Sequence, residues 1–229
     1  MTLTLHTDLI QGTPEWMAAR CGLLTASEMK HIITPAKLQY ASNDKERGHL
    51  YELAAQRVTQ YVEPHYISDD MLRGIGDELD AKLLYAKTYA PTKDVGFITN
   101  DKWGFKLGYS PDALVSDDGL IECKSRRQKY QVETILAGEM PSEFVIQVQT
   151  GLLVSERVWC DFVSYSAGLP MLTLRVLPDP KVQMAILEAA ALFHGKLGKL
   201  LADYAGKLSG GGRLIPTERK PENEGEIEL

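Results

Sequence analysis

Between residues 95 and 124 the chain reads as a series of short strands cut by turns. VGFITN, WGFKLGYSPDALV and LIECK are separated by Gly, Asp and Ser. Runs this short cannot hide an apolar face alone, so they must pair with one another in a sheet that other elements cover. Helical patterns supply the cover. Near the start, Thr13 is a candidate N-cap with Pro14 at the first helical position, and Gly22 suits the turn that ends this helix. Thr25-Ala26-Ser27-Glu28 fits a T-x-x-E capping box and predicts a second helix. Residues 45–62 and 70–89 also read as helical, the latter through Leu72, Leu79, Leu83 and Leu84. After the strands come a helix around FVIQVQTGLLV, strands at VWCDFVSYS and MLTLRVL, and a long helix over 181–207 expected to pack one face on the sheet. The order predicts an α/β or α+β sheet flanked by helices, with one domain over 1–207 and a polar, acidic tail over 208–229.

Composition narrows the partners. There is no 18-residue apolar run and no secretory pattern at MTLTLHTDLIQGTPEW, so a cytoplasmic protein without a membrane span is expected. Three cysteines, Cys21, Cys123 and Cys160, have no CxxC spacing; they suggest neither a disulfide framework nor a zinc site and read as reduced, mostly buried thiols. The net charge of −6 argues against a uniformly basic nucleic-acid-binding surface. Yet the C-terminal PENEGEIEL concentrates acid, while Lys124, Arg126, Arg127 and Lys129 crowd together in KSRRQK. A local basic patch survives the negative total.

That patch begins inside the most informative stretch, SPDALVSDDGLIECK. Strand alternation puts Glu122 and Lys124 on one face, roughly 7 Å apart along the backbone, and a hairpin at SDDG would fold Asp112 back beside them. Two hard carboxylates and a lysine on one turn-and-strand unit suit a Mg²⁺ site for phosphodiester cleavage. They equally describe a turn aspartate followed by an exposed ion pair. Further stretches bear on the choice: Gly74-x-x-x-Glu78 on a helix before the sheet, Trp16-x3-Arg20-x-Gly22-x2-Thr25-Ala26-Ser27-Glu28, and Gln147-Val148-Gln149. A capping box at Thr25 with Arg20 just upstream would offer an anion the free amides of a helix start and a guanidinium fork.

Taken in order from Trp16 to Gln149, these stretches resemble the lambda-type, YqaJ-like viral recombination exonucleases of the PD-(D/E)xK nuclease superfamily. The resemblance implies a restriction-endonuclease-like core with a central mixed β-sheet flanked by helices. It implies Asp112, Glu122 and the Cys123 carbonyl as metal ligands, Lys124 as the catalytic lysine, and Glu78 as a further acid at the active site and a candidate ligand. Arg20, Ser27, Ser110 and Gln147 take the positions that hold the 5′-phosphate, with Thr25 on the same loop. Arg126, Arg127 and Lys129 would line the DNA path, and Met71 or Leu72 would be the strand-separating wedge. The activity implied is Mg²⁺-dependent 5′→3′ degradation of linear double-stranded DNA to 5′-mononucleotides, with two ions per site and Mn²⁺ as a substitute. A homotrimeric ring and a single-strand annealing recombinase as partner are implied too, in a bacterial host's cytoplasm if the chain is phage or prophage encoded. The alternatives are an endonuclease of the same superfamily and a non-catalytic DNA-end-binding module.

Overall fold

The computed structural model describes residues 2–64 and 68–219, apart from the side chains of 69–71. Along the chain run β1 (Leu3–His6), α1 (Pro14–Arg20), β2 (Leu24–Thr25), a 3₁₀ turn (Met29–His31), β3 (Ile33–Thr34), β4 (Gln39–Tyr40) and α2 (Asp44–Thr59). Then come α3 (Asp69–Thr88), β5 (Thr92–Lys93), β6 (Phe97–Asn100), β7 (Leu107–Tyr109), β8 (Ala113–Val115) and β9 (Gly119–Ser125). The chain continues through α4 (Gln128–Ala137), α5 (Ser142–Ser155), β10 (Trp159–Tyr165), β11 (Leu172–Val176) and α6 (Pro180–Ser209).

The strands form two main sheets, ordered β1-β6-β7-β2 and β11-β10-β9-β8-β5, beside the small β3-β4 hairpin. Both main sheets are mixed: β2 runs parallel to β7 and β9 parallel to β10, while the other pairs are antiparallel. β9 is covered on both faces. Leu120 joins the larger core with Phe162, Ile146 and the apolar side of α6, whereas Ile121 and Cys123 pack with Ala81 and Tyr85 of α3. A strand between two such layers is buried on both faces.

Local chemistry accounts for the first helix as expected: the Thr13 hydroxyl accepts from the Trp16 N–H, and Pro14 occupies the first turn. The second helix is a correction. Thr25 ends a strand paired to Gly108, the Ala26 N–H donates to the Gly108 carbonyl, and only a 3₁₀ turn over Met29–His31 follows. Pairing with β7 takes the backbone that a capping box would have used. The Thr25 hydroxyl donates instead to the Glu28 carboxylate at 2.8 Å.

Two helix faces also depart from expectation. On α3 the leucines that marked it as helical point outward: Leu72, Leu79, Leu83 and Leu84 are exposed, and Asp77, Ala81 and Tyr85 face inward. α6 buries Val182, Ile186, Ala189, Phe193 and Leu197 as its spacing predicts, but packs on α2, α5 and the β3-β4 hairpin more than on a sheet, and Tyr204 is exposed. The helix α4, which begins at the end of the basic run, and the strand β1 carry no clear sequence signal.

One partly buried histidine makes the fold's stability depend on pH. His194 on α6 stacks on Phe105 at 4.9 Å, and its Nε2 is buried without a hydrogen-bond partner. Burial, reinforced by Arg57, pushes its pKa down to about 4; only a hydrogen bond with the Lys106 backbone works the other way. A depressed imidazole is neutral in both states above its unfolded value near 6.5. As pH falls from there towards 4 the unfolded chain takes up the proton first, so stability is lost through that window and levels off below it. Melting temperature recorded against pH should fall less steeply in His194→Asn than in the wild type across this range; equal slopes would show that His194 is not the titrating group.

Candidate active site

The hairpin β8–β9 brings the first acids together. Ala113 pairs with Ile121, so Asp112 and Glu122, one residue further on each strand, fall side by side. Asp112 lies just before β8, and one of its oxygens accepts the Cys123 N–H at 2.5 Å. Glu122 is buried and accepts from three donors: the Tyr109 hydroxyl at 2.7 Å, the Lys124 ammonium at 2.7 Å, and the Gln147 side-chain amide from α5. The Tyr109 ring fits because Gly151 on α5 lies against it; a Cβ there would come within 2.6 Å of the ring. Cys123 itself turns into the second core, as alternation requires.

Glu78 reaches the cluster from α3. Its neighbour Asp77 accepts a hydrogen bond from the Ser125 hydroxyl at 2.5 Å, at the end of β9, and lies 3.7 Å from Arg73. Asp77 is the buried pin that fixes α3 against the strand. Burial raises the Glu78 carboxyl, Lys124 pulls it down, and Glu122 and Asp77 push it up again. Asp112 is held well above the usual carboxylate range, by burial first and then by Glu122. Burial opposes charge on Lys124, but Glu122 and Asp112 outweigh it and keep the ammonium protonated. Three acids are thus grouped around one lysine.

Two clefts open on either side of Glu78 and Ile75. One, of about 340 Å³, runs past Asp112, Gly96 and Gln11; the other, of about 550 Å³, runs past Lys124, Arg126, Tyr130 and Phe144.

A second cluster lies next to the first. The Arg20 guanidinium donates to the Ser110 hydroxyl at 3.2 Å and the Thr25 hydroxyl at 3.3 Å, and stacks 4.3 Å from the Trp16 ring centroid. Trp16 donates to both the Gly96 carbonyl and Ser110 at 3.0 Å. Ser27 joins through Thr25 at 3.2 Å. Both hydrogen-bond partners of the guanidinium are neutral hydroxyls, and burial lowers its pKa despite the nearby Glu28. The loop after α1 is fixed by Gly22, whose φ of +68° only glycine adopts readily and whose carbonyl accepts from Arg57 at 2.8 Å. Ser110 and Asp112 are separated by one proline, so the two clusters share a segment.

The structure thus groups Arg20, Thr25, Ser27 and Ser110, and separately Glu78, Asp112, Glu122 and Lys124. Gln147, expected among the first group, donates to Glu122 of the second. No helix start contributes to the arginine pocket, for the reason given above. Of the basic run, Arg126 is mostly buried and paired with Glu143 at 2.6 Å, Arg127 precedes α4, and Lys129 is exposed. Leu72 is exposed on α3, and the Met71 side chain lies outside the described residues. Tyr109, Asp77 and Ser125 were not anticipated: each is an ordinary core or helix position in sequence, and only the fold brings it to the site.

A mixed sheet whose β8–β9 hairpin presents Asp112, Glu122 and Lys124 beneath flanking helices is the fold of the PD-(D/E)xK nucleases. The chain belongs to the YqaJ-like viral recombinase family, whose domain matches residues 15–158. It is similar to LHK-Exo, an alkaline exonuclease from Laribacter hongkongensis, at 31% identity over 87% of this chain and 100% of that one, with a TM-score of 0.77. The structure of LHK-Exo in complex with dAMP gives a TM-score of 0.78 at the same identity and coverage. A phage related exonuclease from Haemophilus somnus 129PT shares the fold at a TM-score of 0.59 and 14% identity, over 80% of this chain and 96% of that one. No curated protein matches the sequence. Family and relative together give the chain a recombination exonuclease role. Among the described residues no helix is long and apolar enough to cross a membrane.

Proposed function

We propose that the protein is a Mg²⁺-dependent 5′→3′ exonuclease acting on linear double-stranded DNA, releasing 5′-mononucleotides and leaving a 3′ overhang for recombination by single-strand annealing. The observation that carries this reading is the adjacency of the two clusters through Ser110-Pro111-Asp112. Because Ser110, which Arg20 contacts, is only two residues from Asp112, a 5′-phosphate held by Arg20 would place the next phosphodiester towards Asp112 and Glu122. Position, rather than covalent chemistry, is then what the protein supplies.

The donor set fits Mg²⁺. Asp112, Glu122 and the Cys123 carbonyl would offer hard oxygens, few enough for an ion that keeps part of its water, and Glu78 would add a further carboxylate from the helix. Burial first, and the neighbouring carboxylates after it, raise the Asp112 and Glu78 carboxyls against the pull of Lys124. We propose two such ions per site, with Mn²⁺ as a substitute; when bound, they supply charge neutralisation of the phosphoryl group and activation of water. Tyr109 and Gln147 hold the Glu122 carboxylate in place, and Lys124 presents a permanent positive charge to the attacked phosphate.

A linear duplex labelled separately at each 5′ and 3′ end tests the reading. The 5′ label should leave first, as mononucleotide and only with Mg²⁺, while closed-circular plasmid stays intact. A nicked or cut circle would favour an endonuclease of the same superfamily. Binding to ends without Mg²⁺-dependent digestion would leave an end-binding module.

The same reading includes a homotrimeric ring, a single-strand annealing recombinase as partner, and action in a bacterial cytoplasm. Supporting the ring, α3 exposes Leu72, Ile75, Leu79 and Leu83 in a stripe at helical spacing beside the clefts. Light scattering should give three times the chain mass of 25.5 kDa; a monomer at working concentration removes the ring and leaves the chemistry standing.

A further inference from the structure

Lys124, Arg126, Tyr130 and Phe144 line the cleft of about 550 Å³ on the Lys124 side of Glu78, and with the neighbouring Lys129 they make an arrangement that phosphodiester chemistry does not require. The Lys129 ammonium lies 4.6 Å from the Tyr130 ring centroid. The Arg126 guanidinium carbon lies 5.2 Å from the centroid of Tyr130 and 5.2 Å from that of Phe144. Lys124 follows, 5.8 Å from Phe144 and 2.7 Å from Glu122. Cations and rings therefore alternate from the exposed start of α4 down to the carboxylates.

Two features separate this ladder from ordinary core packing. Tyr130 is 41% exposed, so its ring is presented to solvent rather than spent on the core. Arg126 is fixed in place by its Glu143 partner at 2.6 Å and by its backbone N–H, which donates to the Tyr165 carbonyl at 2.7 Å. A guanidinium fixed beside two rings is a preorganised cationic and aromatic surface. Alternating π-faces and cations match a single nucleic-acid strand, whose bases stack while its phosphates seek positive charge. An acidic peptide would use the cations and leave the rings idle; an apolar ligand would do the reverse.

We propose that Tyr130, backed by Arg126 and Phe144, forms a nucleobase-stacking site for an unpaired stretch of the DNA strand that crosses Lys124. The proposal rests on the DNA-exonuclease reading above and adds to it a site that grips bases without reading their identity. Because Tyr130 makes its contact at the surface, its substitution leaves both the carboxylate cluster and the Arg20 pocket in place.

The test pairs binding with digestion. In EDTA, wild-type protein should bind a single-stranded oligonucleotide about tenfold more tightly than one of equal length and charge carrying consecutive abasic residues. Tyr130→Ala should bind both alike, at the abasic level, while Tyr130→Phe and Tyr130→Trp keep the preference. In Mg²⁺, wild type should slow on reaching an abasic stretch within the degraded strand of a linear duplex, and Tyr130→Ala should digest natural DNA slowly and show no further pause. If Tyr130→Ala retains the preference for natural over abasic DNA, or if wild type has none, the stacking site is wrong even though digestion continues. If wild type shows the Tyr130-dependent preference yet never digests duplex, it is the nuclease reading that falls.

Discussion

Lys124→Ala and Glu122→Gln should each lower the rate of duplex digestion by about 10²- to 10³-fold or more, with affinity for DNA ends changed only a few-fold. The expectation follows from how Glu122 is held. Removing the lysine leaves its carboxylate with the Tyr109 hydroxyl and the Gln147 amide, so the protein keeps its fold but loses the positive charge that faces the phosphate. Glu122→Gln keeps the shape and removes a hard anionic oxygen. It also leaves the Lys124 ammonium without its closest partner, and a broken buried pair costs stability as well as chemistry. Melting temperatures must therefore accompany the rates. A folded Lys124→Ala protein with near-wild-type digestion in Mg²⁺ would show that this lysine is only a structural counter-ion. Cys123→Ala is the control on the same strand: its side chain lies in the second core, so activity should persist.

Arg20→Ala should separate the arginine pocket from the carboxylates. Wild type is expected to digest 5′-phosphorylated ends about tenfold faster or more than 5′-hydroxyl ends, the size of a charge-assisted hydrogen bond set. The variant should lose that ratio and approach the hydroxyl rate on both. Arg20 also stacks on Trp16 and bonds to Ser110 and Thr25, so some loss common to both substrates is expected from packing alone. The ratio of ratios isolates the phosphate contact from that shared loss. Equal proportional losses on the two ends would mean that Arg20 only braces the loop after α1.

What the sequence makes legible here depends on the range over which each feature is encoded. The β8–β9 hairpin, its SDDG turn and the alternation that puts Glu122 and Lys124 on one face are local, and they stand in the structure as read. So does the Thr13-Pro14 start of α1. The capping box at Thr25 fails because its outcome is decided far along the chain, by pairing with Gly108. The leucines of α3 give its period but not its buried side, since the face is chosen by Asp77 meeting Ser125 and by Ala81 and Tyr85 meeting β9. Gln147 illustrates the same limit at the site. Resemblance placed it with the phosphate pocket, whereas packing of α5 on Tyr109 puts its amide on Glu122. The Tyr109 hydroxyl and the Ser125 hydroxyl carry no sequence signal at all, because what they bond to is fixed only once the sheet has closed.

The seating of α3 sets how the protein would fail when heated. β9 is paired on both sides, by β8 and β10, and Leu120 sits in the larger core away from α3, so amide hydrogens from Leu120 to Lys124 should exchange with solvent only when the sheet itself opens. Glu78 has no such protection. It stands on a helix half clad in exposed leucines and pinned by Asp77, so α3 can lift away while the strand beneath it remains protected. Warming should then extinguish digestion before deuterium reaches β9, an inactivation that cooling reverses because the sheet that receives the helix was never lost.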